Sequence, residues 1–546
     1  MRRGIFGNSL KEENVMNVGR AIGLLAVSLG IVFLAASSLM AEEAGPASPT
    51  GASVPEGRIV YVAGDGSGDF NCDGKDDHVE INQAIEYVAT HPDCSTVHLK
   101  GPNTYWISDT IRIGSDTVLE GDATAVVKLI DHSHWPKWKA MIASKYDTSP
   151  PGPYTTLKCE PIRNITIRGF EVDGNSGNNR DLDEETGKTR SAGAGYDYLL
   201  RLMNAYDVTI NDMHLHNMLC DGILFCNTGD HRNARVNARI FNNRIESSGH
   251  DAIYMIGVSQ FAVYNNNIYS CRTNSAIRLT ICSEYSIHHN VLHNHPTAGF
   301  SGNAGVQIQN GNRPVDHVEI YENEISRMGL GGIVLWGVGA PFGTQKNVHI
   351  HHNRIYDCNL AGIRIHGAHN TLIENNVLYG NWGDGIVQYF AYGPGRETGE
   401  PPEGSRYTTI VRNNIIANTH ADAGPDSPWG KAGWLTPLSG FGLNNYFSDT
   451  HAFVSEHNCI YNSAKGDYNN ASSTTDIHVD PLFVNPEEGD FHLQPQSPCR
   501  GAGGNGKDIG VYEEETGATA SRKLSADVIV QKALPPAPEE TKRRWW

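Results

Sequence analysis

Between Arg201 and Asn414 the sequence holds a single lysine, Lys346. No basic stripe occurs elsewhere, and the formal net charge is −18. Nucleic acid is therefore a poor partner. No amphipathic run of helix length interrupts the same region, which argues against repeated strand–helix–strand units. There is no metal motif of the Cys-x-x-Cys type. Gly-x-Ser-x-Gly is also missing, so Ser/His/Asp hydrolysis lacks its usual elbow. Beyond the N-terminal stretch no apolar run is long enough to span a membrane.

What the sequence does have is a repeat. Seven segments share one pattern: an apolar residue, two variable residues, Asn, one variable residue, then Ile, Val or Leu. The shared asparagine falls at Asn243, Asn266, Asn290, Asn323, Asn353, Asn376 and Asn413, in steps of 23 to 37 residues. Six of the segments are followed by Gly or Ala, an Ile or Val, and a short alternating strand, as in Gly362-Ile363-Arg364-Ile365-His366. Alternation sends Ile363 and Ile365 inward and Arg364 and His366 outward. One unit stacked on copies of itself, each with two or three short strands, is a parallel β-helix. The asparagine column reads as scaffold: a buried turn needs a residue that tolerates the left-handed region and bonds its neighbours.

The two ends differ from this core. Arg2, Arg3 and Arg20 precede an apolar run from Ala21 to Met40, with a cleavage position after Ala41. This is the pattern of a secretory signal peptide, and its length also fits an uncleaved membrane anchor. Residues 42–57 read as a linker, 58–160 as an N-terminal cap and first coils, 161–513 as the main β-helix, and 514–546 as a polar tail without a fold of its own. The expected location is outside the cell or on its surface. Of the ten cysteines, Cys220 with Cys226 and Cys72 with Cys94 are spaced to pair; buried free thiols are the other reading.

Near the start, Ile81 to Val88 has helical spacing, with Asp76 and Asp77 ahead of it, where acids suit a helix N-terminus. A helix there would cover the open end of the β-helix. The same stretch matches a calcium loop, with Asp69, Asn71, Asp73, Asp77 and Glu80 at ligand positions and Gly74 at the sharp turn. A turn leading into an acidic helix start fits equally. No other cofactor is called for. The loop from Asp173 to Ala194 is polar and Gly-rich, as surface loops are. Longer insertions, at Cys226–Asn237, Gln309–Asp316, Trp336–Lys346 and Tyr389–Tyr407, follow the Gly-Ile strands, and His293–Asn303 precedes one. His420–Tyr446 adds Trp429, Trp434 and Phe441. Together they put the functional face on the Gly-Ile sheet.

The closing motifs Asp480-Pro-x-Phe, Gly489-Asp-Phe-x-Leu-x-Pro-x-Ser-Pro and Asp508-Ile-Gly-x-Tyr-Glu resemble the last coils of exported right-handed β-helix proteins. The opening VYVAGDGSGDFNCDGKDDHVEINQAI, the string TVHLKGPNTYWISDTIRIGSDTVLEGD, and the central SSGHDAIYM and SCRTNSAIRL resemble disaggregatases of methanogenic archaea. The likeness covers most of residues 58 to 390 and is poorer after Tyr389. It implies a β-helix enzyme that degrades a chondroitin-like matrix polysaccharide. Because the chain is acidic, such a polymer would be repelled at long range, so local arginines must bind it.

Counting from the asparagines aligns the outward residues of the Gly-Ile sheet. One column runs Leu224, Tyr254, Arg278, Gln307, Val334, Arg364, Val387. The next runs Cys226, Ile256, Thr280, Gln309, Trp336, His366, Tyr389. Arg278, Gln307, Gln309, Trp336, Arg364 and His366 then share a patch suited to a uronic sugar: Arg grips carboxylate, Gln reads hydroxyls and Trp stacks on a ring. An ordinary polar face is the bland alternative. Just before each Gly or Ala come Asp221, Asp251, Ser275, Ala304, Gly331, Ala361 and Asp384. Asp221 and Asp251 on adjacent coils would repel, raising one pKa and giving the acid and base of glycoside hydrolysis, with His250 and Arg278 nearby. Otherwise these aspartates only hold turns. Elimination is the rival chemistry. With no core lysine, its base would be Arg272, Arg278 or Arg364. A carbohydrate-binding protein without activity is the third reading. Zinc at His288–His289 or His351–His352 is disfavoured, because neighbours on a strand project oppositely. Packing of outer faces into a trimer is open.

Overall fold

The computed structural model describes residues 57–147, 159–183, 188–190, 198–227, 234–246, 248–269, 271, 273–294, 304–309, 315–336, 345–365, 368–388, 407–421, 440–446 and 451–511, all within one compact unit, Ser53–Trp546. Three sheets run through them, of 14, 12 and 12 strands, and every strand pairing within these sheets is parallel. Each coil contributes one strand to each sheet in turn. In one coil these are Val315–Tyr321, Glu324–Ser326 and Gly331–Trp336; in the next they are Gln345–His351, Arg354–Tyr356 and Asn359–Ile365. This is the expected parallel β-helix, right-handed as parallel crossovers are. We call its three faces the ladder sheet, the short sheet and the site sheet, in chain order.

Alternation builds the core. Val318, Ile320, Ile325, Ile333 and Leu335 of one coil are all buried, and their equivalents stack into a single apolar column from Val60 to Ile460. Each such side chain contributes roughly 1.5–3 kcal/mol on burial, more than the net worth of any one ladder hydrogen bond. The glycine of the Gly-Ile motif reflects close packing of coils. A Cβ on Gly332 would lie 2.3 Å from the Ile355 side chain and 2.7 Å from the Gly362 carbonyl oxygen.

At the corner between ladder and short sheets the asparagines form a continuous amide chain. Asn243 donates its backbone N–H (3.1 Å) and its Nδ2 (2.9 Å) to Oδ1 of Asn266. The same pair of bonds recurs from Asn266 to Asn290 and onward through Asn323, Asn353, Asn376, Asn414 and Asn458. Asp476 ends it, accepting from Asn458 at 2.9 Å. Two expectations change. The seventh member is Asn414, not Asn413, because Val411 is the inward apolar residue of that strand. And the left-handed residue is the one before each ladder asparagine: Asn242, Asn265, His289, Glu322, His352, Asn375 and Asn413 have φ of 52° to 57°. The two duties are split between neighbours, so the ladder residue keeps ordinary backbone and spends only its amide.

The N-terminal helix, His78–Thr90, buries Ile81, Ala84, Ile85 and Val88 against the first coil. Asp77 starts it but does not cap it. Its carboxylate accepts N–H bonds from Gly74 (2.9 Å) and Trp106 (2.7 Å) and so ties the preceding turn to the first coil. The first coils are built from Cys94–Leu99, Asn103–Ile107, Ile111–Ile113, Thr117–Gly121 and Ala125–Leu129. The start of the Asp173 loop departs from expectation: Asp173, Asn175, Ser176 and Asn179 are buried, with Asn179 Oδ1 accepting the Ser133 N–H at 2.9 Å. At the other end Phe483, Phe491, Leu493, Cys499 and Ile509 pack on Val377, Ile415, Ala417 and Cys459, covering the outer face of the short sheet. All ten cysteines are buried and none is in a disulfide, so neither Cys220–Cys226 nor Cys72–Cys94 is bridged. No helix among the described residues is long and apolar enough to cross a membrane. The N-terminal segment 1–56, the tail 512–546 and most of the insertions, Trp429 and Trp434 among them, lie outside the described residues.

Candidate active site

The site sheet has the register read from the repeat. Leu224, Tyr254, Arg278, Gln307, Val334, Arg364 and Val387 are successive partners, and so are Cys226, Ile256, Thr280, Gln309 and Trp336. The outer face is not uniform. Over the early coils it is apolar and covered: Ala140, Ala143, Tyr198, Met203, Leu224, Cys226, Tyr254 and Ile256 form one cluster. Arg201, the partner of Leu224 on the preceding coil, is buried beside Asp147 at 3.3 Å, and the exposed polar part begins at Arg278.

The turn before the Gly-Ile strand supplies the chemistry. Asp221 Oδ1 accepts the backbone N–H of Asp251 on the next coil at 3.0 Å, and Asp251 Oδ1 accepts that of Ser275 at 2.9 Å. Each carboxylate thus holds a turn with one oxygen, as the bland reading had it, and Asp251 keeps Oδ2 for other partners. His250 Nδ1 lies 2.9 Å from Asp221 Oδ1 and 3.0 Å from Asp251 Oδ2. Arg278 Nη1 is 3.4 Å from the same Asp251 oxygen. Asn274 Nδ2 donates to Asp251 Oδ2 at 3.0 Å and sits 3.3 Å from His250 Nε2. Arg278 also donates to Gln309 Oε1 at 2.9 Å and lies over the Tyr254 ring, 4.5 Å from its centre. Tyr254 is fixed through its hydroxyl to Thr280 at 3.2 Å.

The electrostatics run against a protonated Asp251. Burial alone would raise the pKa of Asp251, but the charges of His250 and Arg278 and the bonds from His250 and the Ser275 N–H outweigh it, holding the carboxyl below its usual range. For His250, burial opposes protonation, yet the charges of Asp251 and Asp221 and their hydrogen bonds raise it to about 10. Beside an imidazolium, Asp251 has no need to stay protonated. A charged ring carries N–H on both nitrogens and cannot accept from Asn274, whose Nδ2 then serves Asp251 Oδ2 alone. Asp251 is 0% and Asp221 2% exposed, whereas the side chains of His250 and Arg278 are 25% and 18% exposed. The groups that can meet a substrate are therefore the cations, oriented from beneath by the carboxylates.

The remaining expected site residues divide. Gln309 joins the site through Arg278. Gln307 is buried and its Oε1 accepts the Ser275 hydroxyl at 2.6 Å, so it supports the turn. Arg364 is buried and donates to the Leu330 carbonyl at 3.3 Å. Tyr254, 3% exposed, is a platform under Arg278. Trp336 holds its register position as a strand residue, and Arg272 and His366 lie outside the described residues. Asn274 was missed, since the repeat aligns only the residue after it, although its polarity in Cys271-Arg-Thr-Asn-Ser was visible.

Three residues of the calcium pattern, Asp69, Asn71 and Asp73, bond other partners. Asp69 turns to Arg58 (3.2 Å) and to the Tyr61 N–H (2.9 Å), Asn71 bonds Gly68, and Asp73 bonds the Lys75 N–H at 3.0 Å. The strand ahead of the loop carries Asp69 away, leaving Asp77 and Glu80 grouped with Cys72. Cys220, Asp221 and His250 are another group with donor atoms within 4.8 Å, but a cation there would compete with Asp251 for the ring. The adjacent histidines also behave unexpectedly. The left-handed turn at His289 and His352 brings Nδ1 of His288 and His289 to 2.9 Å and Nδ1 of His351 and His352 to 2.8 Å.

The chain is thus a right-handed parallel β-helix protein with a buried carboxylate–imidazole–guanidinium cluster opening on one sheet. Residues 315–508 match the model of a family described as disaggregatase related. The match spans roughly a third of the chain and starts after the last residue of the cluster, Gln309. No curated protein matches the sequence. Among solved structures it is similar to the A-module of a mannuronan C-5 epimerase of Azotobacter vinelandii, at 18% identity over 74% of this chain and 96% of that one, with a TM-score of 0.48. A surface adhesin of Streptococcus pneumoniae gives 14%, 71%, 82% and 0.47. A hyperthermoactive exopolygalacturonase of Thermotoga maritima gives 14%, 73%, 87% and 0.40.

Proposed function

We propose that this is an exported enzyme that hydrolyses an acidic, amino-sugar-containing matrix polysaccharide on the outer face of the site sheet. The observation that carries this is His250 held between Asp221 and Asp251 with Arg278 beside it. Arg278 takes a uronate carboxylate, its plane fixed by Tyr254 and Gln309. Water adds to the anomeric carbon as the glycosidic C–O bond breaks; His250 gives a proton from Nε2 to the departing oxygen and regains one from the water that adds, while Asp221 and Asp251 hold the ring and stabilise its charge, in place of acting as acid and base themselves. The disaggregatase-related match supports a matrix polysaccharide as substrate.

Elimination is the second reading, and Arg278 next to a uronate favours it. It needs a neutral base, however, and an imidazole raised to about 10 is a poor one at neutral pH. Digestion of a chondroitin-like polymer followed by mass spectrometry separates them. New reducing ends with water added support hydrolysis. Unsaturated uronate ends move the reading to elimination. An intact polymer that still binds leaves only a carbohydrate-binding protein.

A further inference from the structure

Two clusters outside the active site share one plan. On the short sheet His214-Leu215-His216 places both rings on the outer face, stacked at 4.4 Å. On the ladder sheet His349-Ile350-His351 also places both rings outward, 4.1 Å apart but tilted by 32°. In each the first histidine pairs in register with a glutamate of the preceding coil, Glu171 or Glu319. The second pairs with a glutamate of the following coil, Glu246 or Glu374. In each that later glutamate is held by an arginine, Arg244 or Arg412.

We propose that Glu171, His214 and His216, and likewise Glu319, His349 and His351, are binding sites for a divalent transition metal of the zinc class. In both, one ring nitrogen from each histidine and a carboxylate oxygen lie within 4.8 Å of one another. In the first, Glu171 Oε2 is 3.2 Å from His214 Nδ1 and Oε1 is 2.8 Å from His216 Nε2. Ligands about 2.0–2.2 Å from zinc in a tetrahedron sit roughly 3.4 Å apart, so little movement is needed. The other nitrogen of His214, Nε2, is 3.0 Å from Glu246 Oε1. A carboxylate on the far nitrogen is what fixes ring orientation in metal sites. All four residues are partly exposed, so an ion can reach them and a fourth position stays open to water. Simple ion pairing needs only one acid per ring; it gives no reason for the three-donor grouping to recur on two sheets.

The test uses the untagged full chain, stripped with a chelator and dialysed against micromolar zinc at mildly alkaline pH, with bound metal counted by mass spectrometry. Two equivalents are expected. His216→Ala and His349→Ala should each lose one, and the double variant both, while circular dichroism shows it folded. Glu246→Gln should keep the first site but weaken it about 10–100-fold. Fewer than two equivalents on folded wild type, two equivalents on the double variant, or loss of an equivalent in His250→Gln would each overturn the proposal.

Discussion

The corner of the asparagine ladder and the turn before the Gly-Ile strand solve the same problem differently. Both are buried, and both cross-link coils by giving a backbone N–H to a side-chain oxygen of a neighbouring coil. In the ladder the earlier coil donates to the later asparagine, and each amide also donates, to backbone carbonyls and to the next Oδ1, so no polar atom is left over. In the Gly-Ile turn the later coil donates to the earlier aspartate. A carboxylate only accepts, and bonding one N–H leaves most of its capacity unused. That surplus draws His250 and Arg278 inward. A neutral, self-satisfying ladder makes scaffold; a charged, unsatisfied one makes a site.

The sharpest way to break this contrast is in the turn. His250→Gln and Asp251→Asn should each lower turnover by about 10²–10⁴ while the protein stays folded, because an asparagine at 251 can still accept the Ser275 N–H. Sugar binding should survive. If Asp251→Asn retains activity, the carboxylate is scaffold like the ladder. Next comes the ladder. Asn323→Ala strips the acceptor from the Asn290 N–H and Nδ2 and the donor from Ile287 O, Tyr321 O and Asn353 Oδ1. Denaturant unfolding should show a loss of roughly 2–4 kcal/mol, with activity per folded molecule unchanged.

The pH dependence separates the two corners as well, since only one titrates. His250 is raised in the fold to about 10, so its stabilisation is complete below the unfolded value of about 6.5 and is lost as pH rises through about 10. Asp251 is lowered, so its contribution holds above the unfolded value of about 3.9 and is lost as pH falls through the folded one. Wild type should lose stability relative to His250→Gln across the alkaline window. A parallel pair of curves would mean that the ring is neutral. A smaller effect is expected at Arg278→Lys: the stem keeps a charge near Asp251 but loses the fork to Gln309 and the face over Tyr254. Substrate KM should rise on the order of tenfold with turnover little changed.

The coil register was legible because alternation and a recurring asparagine are local, and every coil repeats the measurement. The same register correctly stacked Tyr254, Arg278 and Gln307. What it could not give was depth. Arg364 and Gln307 occupy outward positions, yet both are buried and bonded to the bend of the preceding coil, at Leu330 and Ser275. Protonation was also hidden. The repeat put two aspartates on adjacent coils, but His250 lies in a bend, where strand alternation says nothing about direction, and the ring between them reverses the charge argument. Bends misled twice more, at Asn413 and at the adjacent histidines, both governed by the left-handed residue.

Asp384 gives the most discriminating small effect. It stands in the same column as Asp221 and Asp251 and bonds the following coil in the same sense, with Oδ1 accepting the Phe441 N–H at 2.8 Å. Its Oδ2, however, takes the Asn444 amide at 2.9 Å. An amide there occupies the oxygen that the ring and guanidinium occupy at Asp251. Asp384→Asn keeps the Phe441 bond and sets two amides face to face. Asn444 can turn to accept, at the expense of the bond its Oδ1 takes from Asn469. The net change should be one hydrogen bond, about 0.5–1.5 kcal/mol, with activity within twofold of wild type. If Asp384→Asn instead abolishes turnover as Asp251→Asn does, position in the column matters more than the partner of the second oxygen, and the distinction between scaffold and site must be drawn elsewhere.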